Sequence, residues 1–84
     1  MRLSSGFMEI DVHGMTKAQA ISLIDARLKQ AGSAVYRIRV IHGYHNGTEL
    51  RDEVRRRYRR HPKVKRIELG LNDGQTELVL RELI

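Results

Sequence analysis

Apolar positions recur along this chain first at every second residue and then at every third or fourth, and the alternation of the two periods lays out the fold. From Phe7 to Val12, Met8, Ile10 and Val12 point one way and Glu9, Asp11 and His13 the other, which predicts a strand with Asp11 and His13 on one face. Gly14 breaks that strand. Thr16 with Gln19 three residues later predicts a capping box, and Ala20, Ile21, Ile24 and Leu28 form the apolar stripe of a helix from Thr16 to Ala31, ended by Gly32. Tyr36 to His42 is the next strand, with Tyr36, Ile38 and Val40 on one face and Arg37 and Arg39 on an unusually basic other face. A polar loop, Gly43-Tyr44-His45-Asn46-Gly47, follows. Asn46 as N-cap with Glu49 as its partner predicts a second helix to about Arg60, whose buried stripe is Leu50, Val54 and Tyr58, and Pro62 stops it. Lys63 to Leu69 and Thr76 to Leu83 read as two strands joined by the hairpin turn Asn72-Asp73-Gly74. The order is βαβαββ. Right-handed crossovers then place both helices on one face of a four-stranded mixed sheet, an α+β two-layer sandwich whose other face is partly open.

Composition narrows the setting. The 84 residues suffice for one domain with a modest core, expected over residues 8–84 behind an N-terminal tail at 1–7. No cysteine is present, so neither a disulfide framework nor a thiolate metal site is available. The apolar runs are too short for a membrane span or a secretory signal, so no membrane association and a cytoplasmic setting are expected. The net charge is +6, and nine of the sixteen basic residues fall between Arg51 and Arg66, where the only acids are Asp52 and Glu53. Such clustering is the electrostatic footprint of a nucleic-acid binder, although an anionic membrane surface or an acidic protein would also answer it. A helix making four or five phosphate contacts would give a logarithmic salt slope of roughly −3 to −4.5.

One pattern occurs twice at the strand ends: Asp11-Val12-His13-Gly14 and Val40-Ile41-His42-Gly43, each followed by helix-start residues. Junctions of this kind gather at the carboxyl ends of parallel strands, where open α/β sheets bind ligands. Asp11 and His13, about 6 to 7 Å apart along a strand, can converge on one divalent ion or act as an acid/base pair; equally, they can simply hydrogen-bond the following loop. His42 is expected near His13, either in the site or as a half-buried, hydrogen-bonded residue on the face of Ile38 and Val40. Gly14, Gly43 and Gly47 allow backbone amides to approach a phosphate, or are ordinary turn glycines. Tyr44 and His45, at the loop tip, could stack on a base or sugar.

These motifs resemble a known family. Ile10-Asp11-Val12-His13-Gly14 is similar to the first signature of the small MutS-related (Smr) domain. Val40-Ile41-His42-Gly43, leading through Gly47 to Leu50-Arg51, resembles its second, and Gly74-x-Thr76 also fits. The resemblance spans roughly Met8 to Leu83 and reads as a stand-alone member. It implies a fold similar to the C-terminal domain of translation initiation factor three, with strand order 1-2-4-3 and the fourth strand antiparallel. It also implies binding to DNA or structured RNA and, in several members, nicking or cleavage by metal-assisted phosphodiester hydrolysis. Carried over, Asp11, His13 and His42 become catalytic candidates and Asp11 and His13 the ligands of Mg²⁺ or Mn²⁺. Gly14, Gly43, Tyr44, His45, Gly47, Arg51, Arg55 and Arg59 become the nucleic-acid contacts. The second loop departs from the family's usual His-Gly-Lys-Gly, reading His42-Gly43-Tyr44-His45, so the usual lysine is missing. A non-catalytic binding module and a protein-interaction domain are the competing functions.

Overall fold

The computed structural model describes residues 2–4, 6–43, 47–70 and 72–82. Its elements are β1 (Arg2–Ser4), β2 (Phe7–Asp11), α1 (Lys17–Gln30), β3 (Arg37–Ile41), α2 (Glu49–Tyr58), β4 (Arg66–Leu69) and β5 (Gln75–Val79). The sheet runs β1-β2-β3-β5-β4, with β2 and β3 parallel and β5 antiparallel to both its neighbours. Without β1 this is the expected four-stranded order 1-2-4-3. The addition lies within the stretch read as a tail: Arg2–Ser4 pairs antiparallel with β2, and the chain reverses through Gly6 at φ 82. A side chain at Gly6 would put its Cβ 2.7 Å from the Ala34 carbonyl oxygen, so both the turn and the close approach of the α1–β3 connection need glycine there.

The pleat sorts the sheet into two unlike faces. Across the strands, Met8, Ile38, Leu78 and Ile67 align in one row and Ile10, Val40 and Thr76 in the next. With Ala20, Ile24 and Leu28 of α1 and Val54 and Tyr58 of α2, the apolar members of these rows form the hydrophobic core. The opposite face aligns Glu9, Arg39, Glu77 and Glu68, which sets two carboxylates directly opposite each other. Arg37 resolves that repulsion by donating to Glu68 at 2.7 Å and Glu77 at 2.5 Å. Arg39 pairs with Glu77 and Glu9 and lies over the Phe7 ring, while Arg66 pairs with Glu68 and Glu82. The basic face expected around Arg37 and Arg39 is therefore neutralised by four glutamates.

Both helices are tied by polar contacts at their ends. Thr16 and Gln19 form the expected capping box of α1, and Lys63 Nζ closes its other end by donating to the Leu28 and Ala31 carbonyls. A cation there satisfies orphan carbonyls and opposes the negative end of the helix dipole. Tyr58 is fully buried, and its hydroxyl donates to Asp25 at 2.7 Å, linking α2 to α1. Tyr58→Phe is expected to lower stability by about 1 kcal/mol through loss of the hydroxyl, whose hydrogen bond to Asp25 is shared at longer range with the Ile21 carbonyl, and Tyr58→Ala by about 3–5 kcal/mol through the cavity. Urea unfolding, read as a midpoint shift at constant slope, checks both values.

Candidate nucleic-acid interface

At the first junction the strand ends earlier than alternation predicts, and this decides the geometry. β2 stops at Asp11, and the His13 backbone N–H turns back to Asp11 Oδ1 at 3.1 Å. This turn, formed by a short acidic side chain two residues upstream, replaces a shared strand face. It brings His13 Nδ1 to 2.5 Å from the same oxygen, with both side chains exposed. Burial works against ionisation of Asp11, but the hydrogen bonds from the His13 ring and amide outweigh it and hold the carboxyl below its usual range. A carboxylate only accepts, so Nδ1 carries the hydrogen of this bond, and in a neutral ring the lone pair would then lie on Nε2.

The second junction is built differently. His42 is only 4% exposed, and both of its ring nitrogens are engaged: Nδ1–H donates to the Gly43 carbonyl at 2.9 Å, and Nε2 accepts from the Thr76 hydroxyl at 2.8 Å. Thr76 in turn accepts from Arg55 Nε at 2.8 Å, and Arg55 Nη2 reaches the Gln75 carbonyl. Thr76 explains its own place in a core row, since a fully buried hydroxyl needs partners and here has two. Gly43 is likewise bound inward, because its N–H and that of His42 both donate to the Gly74 carbonyl. The backbone approach expected of Gly43 is thus used within the protein. Gly14 and Gly47, at φ 79 and 104, have open space where a Cβ would stand.

The two junctions meet. A Cβ built on Gly43 would lie 3.5 Å from that of His13, and His13, Gly14, Thr16, Lys17, His42, Gly43, Gly47, Glu49 and Leu50 line one cleft of about 460 Å³. Tyr44, His45 and Asn46, expected as loop contacts and helix cap, lie outside the described residues. Thr48 is the N-cap of α2, without a side-chain capping bond; its hydroxyl donates to Asp52 instead. Glu49, expected as a capping partner, instead pairs with Lys17 at 3.2 Å.

Comparison with known proteins agrees with this architecture. The Smr domain family matches residues 10–77. The chain is a member of the Smr domain family. Among solved structures, the Smr domain of MutS2 from Thermus thermophilus is similar at 28% identity and a TM-score of 0.80, over 89% of this chain and 99% of that one. No curated protein matches.

In this Smr domain the arginine helix is less free than its sequence suggests. Arg51 pairs with Asp52, Arg56 with Glu53 and Arg57 with Asp25, while Arg55 is turned inward to Thr76. Arg59 and Arg60 are exposed at its end. No helix among the described residues is long and apolar enough to cross a membrane. Among the described residues no group of three or more histidines or acids is placed to hold a metal. Asp11 and His13 alone do not fit a protein-held Mg²⁺ or Mn²⁺: the imidazole Nδ1 and one carboxylate oxygen are bonded to each other, and such ions prefer several oxygen ligands. Lys17 and Glu49 also line the cleft, although periodicity did not single them out; the sequence marked Glu49 only as a helix-start residue and Lys17 only as a cation at the first helical position, where acids are favoured.

The His42 network carries a pH dependence. Burial, with Arg55 and Arg51 nearby, holds the folded imidazole below its ordinary 6.5. The unfolded chain therefore binds a proton that the folded domain refuses, so this contribution is complete above about pH 6.5 and is lost as pH falls below it. Asp11 acts in a separate window, losing its contribution only as pH falls below its ordinary 3.8. The melting temperature is expected to drop between about pH 7 and 5 in the native domain, and to drop less in His42→Gln. Equal slopes in the two proteins would contradict the buried neutral histidine.

Proposed function

We propose that this domain binds nucleic acid with a phosphodiester in the cleft between the two His-Gly junctions, and that its Asp11–His13 pair cleaves RNA. The observation that carries the reading is the 2.5 Å bond between His13 Nδ1 and Asp11, at the wall of a cleft lined by glycines and two helix starts. A carboxylate fixing one ring nitrogen leaves the other as a general base. RNA brings its own nucleophile. His13 Nε2 takes the proton of the 2′-hydroxyl, the 2′-oxygen attacks phosphorus, and the P–O5′ bond breaks. The 5′-oxygen leaves and takes up a proton from solvent, giving a 2′,3′-cyclic phosphate and a 5′-hydroxyl. Phosphate binding draws on Gly14, Gly47 and the first amides of α1 and α2, supplemented at longer range by Arg59 and Arg60. His42, Gly43 and Arg55 hold the second junction in shape, and no step is routed through a metal.

A binding module without catalysis is the second reading, favoured by the exposure of His13, since little shields it from bulk water.

A labelled structured RNA and a supercoiled plasmid, each incubated with the domain in EDTA and in Mg²⁺ or Mn²⁺, test these readings. RNA cleavage in EDTA with cyclic-phosphate ends is expected, falling about 10²- to 10⁴-fold in His13→Ala and by a smaller factor in Asp11→Asn. Cleavage unaffected by either change, or confined to plasmid with metal, would sink the assignment. Salt-sensitive binding with no cleavage would select the binding module.

A further inference from the structure

The two helices that open onto the cleft start with opposite charges. α1 begins at Lys17 and has no acid in its first turn, whereas α2 begins at Glu49 with Asp52 behind it. A cation at a helix N-terminus sits against the positive end of the dipole, so Lys17 breaks a local preference that Glu49 obeys. Breaks of this kind concentrate where a side chain serves something other than its own helix. Across the cleft mouth Lys17 Nζ meets Glu49 Oε1 at 3.2 Å, and both side chains remain at least half exposed. An exposed pair of this sort contributes little to stability and opens readily. A carboxylate oxygen also resembles a phosphate oxygen as a partner for an ammonium group.

We infer that Lys17 is the phosphate-binding cation of the cleft and that Glu49 is a built-in competitor, occupying Lys17 until a nucleic-acid phosphate displaces it. The inference rests on the binding reading above and adds a selectivity device to it. A lone small anion must break the Lys17–Glu49 pair for a single contact. A polynucleotide brings further contacts at neighbouring phosphates that offset the exchange. The cation reaches the site from the first helix, although the second loop lacks a lysine.

Binding of a fluorescent single-stranded RNA, measured across a salt series, tests the pair. Lys17→Gln is expected to weaken binding about fivefold and to reduce the magnitude of the salt slope by about 0.7. Glu49→Gln is expected to tighten binding severalfold, and that gain should vanish in the Lys17→Gln background, because it depends on the freed lysine. Glu82→Gln, which removes the same charge from the opposite sheet face, should produce much less tightening. All are surface changes, and circular dichroism checks that each variant is folded. Native affinity and slope in Lys17→Gln, or a Glu49→Gln gain that persists without Lys17, would overturn this inference while leaving nucleic-acid binding intact. Absence of RNA binding by the unmodified domain would overturn both.

Discussion

Parallel pairing of β2 with β3, in the register that sets Asp11 beside Ile41, is the constraint on which the site depends. The Val12 N–H continues the pairing by donating to the Ile41 carbonyl, so both strands run out at the same level. Each is then followed by a histidine, a glycine and a helix. Because a parallel pair requires a crossover, α1 must leave one strand end and return to the start of the other, which places both helix starts on one rim. A shift of the register by one residue would bury Asp11 and expose Ile10, which the apolar row of Ile10, Val40 and Thr76 forbids.

Within that frame the two junctions differ in what holds them. His13 is fixed locally, by a turn within three residues, and remains in solvent. His42 is fixed at one nitrogen by the adjacent Gly43 carbonyl and at the other by the distant Thr76, with Arg55 behind it. One imidazole is therefore exposed and the other has both nitrogens engaged within the protein, although both sit in the same His-Gly dipeptide. The difference follows from burial: an enclosed imidazole must have both nitrogens satisfied, whereas an exposed one can leave a nitrogen to water or a ligand.

Charge follows the same rule of position over composition. The sheet face carries Arg37, Arg39 and Arg66, yet four glutamates brought from β2, β4, β5 and the segment after β5 compensate them. Four of the six arginines between Arg51 and Arg60 likewise have intramolecular partners. Arg59 and Arg60, exposed at the end of α2, have no such partner among the described residues, so the free positive charge of that helix is narrower than its six arginines convey.

The sequence by itself determined the element order, the capping box at Thr16, the apolar rows and the family signatures, because each rests on contacts within a few residues or on a period that the backbone imposes. It did not yield β1, whose three residues are too few to show alternation and which exists only because β2 offers an edge. Nor did it yield the N-cap at Thr48, the inward turn of Arg55, the neutralised sheet face or the Lys17–Glu49 contact. Each of those pairs residues through space or depends on which of several neighbouring polar groups wins a partner. Tertiary structure alone decided them, since the energy of a charge or a hydrogen bond is set by the groups around it and by its access to water, and neither is written in local order.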